Sequence, residues 1–151
     1  MISAGGLLNS SIRDIATISS GFNSQVQVRE GLDYSKLESA RKLTASEYTL
    51  HPQLGYISLN QRLSNDEVLA VAYQYTIGDK VYQVGEFGTD GVDATSVTDS
   101  GIPSSQNLIL KLLKSNLNSI TEPTWDLMMK NIYQIEGGSQ LSQEDFVFNI
   151  V

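Results

Sequence analysis

The chain has 151 residues, 40% of them hydrophobic and 18% charged, with a net charge of −7 and no cysteine. That length suits one domain, which buries roughly 70% of the extended chain's surface on folding. The lack of cysteine excludes disulfides, thiolate nucleophiles and cysteine-based zinc sites together. No Lys or Arg lies between Lys80 and Lys111, and only Lys130 is basic after Lys114, so the clustered cations that nucleic acid or anionic headgroups require are missing.

No apolar run approaches the ~20 residues a membrane helix needs. The opening MISAGGLLNSSIRD lacks the basic start and long apolar core of a signal peptide. The chain is therefore expected to be either cytoplasmic or a piece of a longer exported protein with Met1 added.

In chain order, residues 1–11 are rich in Gly, Ser and Asn and predict a loose N-terminal end. In IRDIATIS (12–19), Ile12, Ile15 and Ile18 recur every three residues. The Ile and Thr content and the closing Ser-Ser-Gly favour an edge strand over a short helix. QVQVRE (25–30) alternates cleanly and predicts a strand ended by Gly31. Residues 34–47 fit a turn of helix, with Glu38 and Lys42 four apart, as well as they fit a strand.

Residues 48–87 read as a meander of antiparallel strands, with Pro52, Gly55, Asn65-Asp66 and Gly78-Asp79 falling between the runs. The predicted strands are 47–51, 56–59, 68–77 and 80–87. Pro52 to Gly55 supplies one turn and Gly78-Asp79 a tight hairpin turn. Residues 88–107 form a long loop of low order, and loops of that length are mobile or functional. A strand is predicted at LILKLL (108–113). After Pro123, Thr124 is expected to cap a helix whose face carries Trp125, Met128, Met129 and Ile132. Gly137-Gly138 breaks the chain, and Phe146, Phe148 and Ile150 alternate in a last strand.

About eight strands with one or two short helices predict a mainly β fold, an antiparallel β-sandwich of jelly-roll or Greek-key type. One sandwich domain is expected over 12–151, with the loop 88–107 as an insertion.

Chemical motifs are sparse. His51 is the sole histidine. It has no GxSxG partner, and it reads as a turn residue at a strand end. Asp90, Asp93 and Asp99, with Gly and Ser/Thr oxygens nearby, are a weak Ca²⁺ candidate whose spacing does not match an EF-hand. Glu86, Asp90, Glu47 and Asp126 contain no pair singled out for glycoside hydrolysis. Tyr48, Tyr56, Tyr73, Tyr75, Tyr82 and Tyr133 suit cross-strand packing better than sugar stacking. No phosphate-binding glycine loop occurs. No catalytic residue, cofactor or resident metal is expected.

Residues 37–87 (LESARKLTASEYTLHPQLGYISLNQRLSNDEVLAVAYQYTIGDKVYQVGEF), 107–115 (NLILKLLKS), 123–135 (PTWDLMMKNIYQI) and 144–150 (EDFVFNI) together resemble, in collinear order, a segment of the SprA (Sov) family. These are very large outer-membrane proteins of Bacteroidetes used for type IX secretion and gliding motility. Residues 1–30 and 88–106 carry little of the resemblance.

The resemblance implies a non-enzymatic structural or interaction domain, a soluble piece of a giant β-barrel conduit. It would sit in the cell envelope at the outer membrane, on the extracellular or periplasmic face, without itself inserting. Its partners would be the rest of the parent chain, partner subunits and exported proteins. Tyr56, Arg62, Trp125 and Tyr133 are the interface candidates by residue type. A surface carbohydrate-binding β-sandwich module is the alternative, and a small hydrolase the third reading.

Overall fold

The computed structural model describes residue 2, residues 6–38 and 40–88, the backbone of 95–97 and 103–105, and residues 106–134. Within them the chain is mainly β, with eight short strands and a single α-helix. All strand pairs are antiparallel, and they form four two-stranded sheets.

The meander begins as its punctuation predicts. β1 (Tyr48–His51) turns through Pro52 to Gly55 and pairs with β2 (Tyr56–Leu59), so that Tyr48 faces Leu59 and His51 faces Tyr56. The run predicted as one strand over 68–77 is two. β3 (Leu69–Val71) leaves the meander and pairs with β8 (Lys111–Lys114) across a bulge, whereas β4 (Tyr73–Ile77) pairs with β5 (Lys80–Val84). Ala72 is the switch point. A Cβ on Gly85 would lie 2.9 Å from the Ala72 Cα and 3.0 Å from the Val71 carbonyl oxygen, and Gly85 sits at φ 78°. Only glycine lets the chain leaving β5 pass this close to the break.

β8 accordingly begins at Lys111, later than the apolar run from Leu108 suggested. The long loop is not wholly irregular: β6 (Thr95–Val97) pairs with β7 (Pro103–Ser105) inside it.

The N-terminal third departs most from the sequence expectations. Residues 12–19 hold no strand. Two 3₁₀ turns, Ser10–Arg13 and Ile18–Ser20, occupy the region, and they bury Ile12 and Ile18. Ile12 and Ile18 fall in separate 3₁₀ turns, with Ile15 in the turn between them, so the three-residue spacing is not the period of one helix. Part of the segment expected to be loose is tied down: the Asn9 side chain accepts from the Ser11 N–H and donates to the Ser20 carbonyl. Residues 25–30 also form no strand. Their alternation finds no neighbouring strand among the described residues, and Glu30 makes one isolated bridge to Tyr34. The described residues of 35–43 are neither helix nor strand.

The helix, α1, runs Pro123–Met128. Proline at its first position fixes φ and starts the helix on itself, so the cap falls on Glu122 and not on Thr124, and Glu122 makes no side-chain capping bond. The Thr124 hydroxyl is buried without a hydrogen-bond partner. The predicted stripe is cut short because the helix ends at Met128, which is 3% exposed, while Ile132 beyond it is 93% exposed. The predicted final strand at 146–150 lies outside the described residues.

Buried hydrophobics among the described residues are Ile12, Ile18 and Met128, and the buried polar residues are Glu86, Ser115 and Thr124. Large apolar side chains on both hairpins remain exposed, including Leu50, Ile57, Ile77 and Val81.

Candidate functional site: an open groove beside the helix

Two of the four interface candidates meet in one place. Trp125 and Met128 of α1, with Met129 after it, line an open groove of about 450 Å³. Ile120 and Asn118 from the preceding connection, Lys114 of β8, Asn65 and Tyr133 complete its walls. Local bonds set the shape. Tyr133 folds back under the helix and donates its hydroxyl to the Met128 carbonyl at 3.0 Å, and Asn131 Nδ2 donates to the Leu113 carbonyl at 3.0 Å. Ser115 is fully buried, and its hydroxyl accepts the Leu117 N–H at 3.1 Å.

Lys114 is the only cation in the groove wall, and its protons are already committed. Its Nζ donates to the carbonyls of Glu67 at 2.6 Å, Asn65 at 3.1 Å and Ser64 at 3.2 Å, with Ser115 at 3.4 Å. An ammonium has three donors and no lone pair. Lys114 therefore clamps the 64–67 turn onto β8, and is spent as a nucleophile or an anion ligand. What remains is apolar, aromatic and amide surface: an indole, a phenol, two thioethers, an isoleucine and two asparagines. Such a wall suits an uncharged apolar or aromatic group, and methionine adapts to irregular shapes.

The other two candidates lie elsewhere. Tyr56 is 43% exposed on β2, stacked on His51 at 4.4 Å. Arg62 is exposed in the connection after β2. His51 stands at a strand end against this ring, as its turn position suggested.

Two of the four carboxylates considered for hydrolysis, Glu86 and Glu47, are held by guanidinium groups. Glu86, 8% exposed, accepts from Arg13 through both oxygens, at 2.6 and 2.7 Å, and Oε2 also accepts the Ile109 N–H at 3.0 Å. Burial pushes its pKa up, but the Arg13 hydrogen bonds, the Ile109 N–H and the Arg13 charge outweigh this and hold it below the usual carboxylate range. Glu47 accepts from Arg41 through both oxygens and from the Thr44 backbone and hydroxyl, which hold its pKa at about 2. A general acid needs the opposite shift.

Asp126 is exposed on α1, and Asp90, Asp93 and Asp99 lie outside the described residues. Among the described residues no cluster of three or more His, Asp or Glu side chains is placed to hold a metal ion. No helix among them is long and apolar enough to cross a membrane.

Tyr75 and Tyr82 are cross-strand partners with rings stacked at 5.2 Å and 15°, and Tyr73 lies 6.0 Å from Tyr75. The tyrosines thus spend ring faces on one another. Sequence reasoning missed the Lys114 clamp and the Arg13–Glu86 pair. The pair joins residues 73 positions apart, and nothing local signals it.

No protein-family model and no curated protein matches the chain.

Proposed function

We propose that this chain is a non-enzymatic structural and interaction domain of a SprA-like outer-membrane translocon, serving type IX protein export and gliding motility. The resemblance over 37–87, 107–115 and 123–135 is the ground for the family. The observation that carries the interaction role is the groove at Trp125 and Tyr133, together with the apolar side chains left uncovered on β1–β2 and β4–β5. Large apolar side chains left uncovered offer surface on which other polypeptide packs. In this reading the cover is the remainder of the parent chain or a partner subunit at the outer membrane.

Closure into a jelly-roll or Greek-key sandwich belongs to the same proposal. Among the described residues each sheet has two strands, so a sandwich needs further strands, and the alternating Phe146, Phe148 and Ile150 are suited to supply one. A carbohydrate-binding module ranks second, because sugars stack on free ring faces and Tyr75 and Tyr82 cover each other's. Carboxylates held by Arg13 and Arg41 support the absence of hydrolytic chemistry.

A photo-crosslinking residue at Trp125 or at Tyr133, in the native polypeptide within cells, tests the interaction role. The expected products are links to an envelope protein or to distant parts of the same polypeptide. Links only to bulk cytosolic proteins, or none from either position, would overturn it.

A further inference from the structure

We propose that the main-chain carbonyls of Ser64, Asn65, Glu67 and Ser115 form a binding site for a monovalent cation of potassium's class, which Lys114 fills with its own ammonium. The Lys114 Nζ lies 2.6 Å from the Glu67 oxygen, 3.1 Å from that of Asn65, 3.2 Å from that of Ser64 and 3.4 Å from that of Ser115. All four acceptors are neutral carbonyls, and none is a carboxylate. An ammonium has three hydrogens, so four oxygens share them around one point, as ligands surround an ion.

The cage does not depend on Lys114 for its shape. The Glu67 N–H donates to the Ser64 carbonyl at 3.2 Å, and the Glu67 carboxylate accepts the Ser64 N–H at 2.6 Å, so the 64–67 turn closes on itself. From there the chain enters β3, where Leu69 pairs with Lys114. The fourth carbonyl belongs to Ser115, which is fully buried and whose hydroxyl accepts the Leu117 N–H. The oxygens thus come from two segments, each fixed by bonds of its own, and they converge where the positive charge sits.

Ligand type and spacing select the cation. Carbonyl dipoles replace the water around potassium. Calcium draws oxygens in to about 2.3–2.6 Å and magnesium to about 2.0–2.1 Å, and both rely on carboxylates. Three of the four separations here are wider than either range, and the shell is uncharged. A lysine ammonium is a compact point charge with rotating donors, unlike the planar guanidinium, so lysine is the cationic side chain able to stand in for such an ion. Asn65 and Lys114 both line the groove beside α1, so the cation in the cage also fixes one of its walls.

Lys114→Met keeps most of the stem and removes the charge, which opens the cage to an ion from solution. Thermal melts in potassium, ammonium, lithium and choline chlorides at equal ionic strength test the site. In lithium or choline chloride the variant is expected to melt well below the wild type. In potassium or ammonium chloride its midpoint is expected to rise with the logarithm of the salt concentration, as linkage requires, while the wild type shows no such cation preference. A variant midpoint equal in all four salts, or a preference that the wild type shares, would overturn the proposal. Should the variant be unfolded in lithium chloride, refolding in potassium or ammonium chloride supports the site. Should it stay unfolded in all four, Lys114→Ala, which also vacates the stem, decides in the same salts and in methylammonium chloride. Recovery confined to potassium, ammonium or methylammonium supports the site, and any other result overturns it.

Discussion

Glu86 keeps its charge at 8% exposure because a guanidinium and a backbone N–H surround it. A carboxylate held below its unfolded pKa binds fewer protons when folded. Its contribution to stability is complete above about pH 4.3 and is lost as pH falls through the folded value. Glu86 and Glu47 both act in this direction, Glu47 down to about 2. Glu86→Gln is expected to cost about 2–4 kcal/mol at neutral pH and to flatten the loss of stability on acidification. Urea melts at pH 7 and near pH 3.5 read both effects, and an unchanged acid slope in the variant would contradict the assignment. Thr124 presents the opposite case. Its hydroxyl is buried without a partner, so Thr124→Val, which keeps the shape and removes the orphan donor, is expected to raise stability by about 1 kcal/mol in the same melts.

At the scale of elements, the hairpins were legible because their turns are written locally. Pro52 with Gly55, and Gly78 with Asp79, hold their positions whatever packs around them. The elements that depend on distant neighbours were not legible. QVQVRE alternates as a strand does, yet among the described residues no strand lies beside it to accept its hydrogen bonds. The isoleucines at 12, 15 and 18, read as an irregular strand, fall in two separate 3₁₀ turns and the turn between them. The break in the run over 68–77 was not foreseen, because the close approach of Gly85 to Ala72 involves a residue beyond the end of β5. Two of the four described glycines at positive φ, Gly78 and Gly85, separate local strain from packing. A Cβ at Gly78 meets nothing within 4 Å, so Gly78→Ala carries only the left-handed backbone penalty of about 1–2 kcal/mol. Gly85→Ala adds overlap with the Ala72 and Val71 backbone and is expected to cost clearly more, about 3 kcal/mol or above. Equal thermal shifts for the two variants would contradict the break at Ala72.

Over the whole molecule, the sequence announced strands, antiparallel pairing and one helix near Pro123, and the described residues hold all three. It also named Trp125 and Tyr133 by residue type alone, and the chain brings them to one groove. It did not reveal the clamp at Lys114, since a lysine within LILKLLK gives no hint that the carbonyls of 64–67 will take its protons. In the proposed function the uncovered apolar surface is where further polypeptide packs. The most direct measurement is an immunoblot of fractionated source cells with an antibody raised against residues 48–84. The account predicts a band far larger than 151 residues, recovered with the outer membrane. A band of this chain's own size in the cytosolic fraction would contradict it.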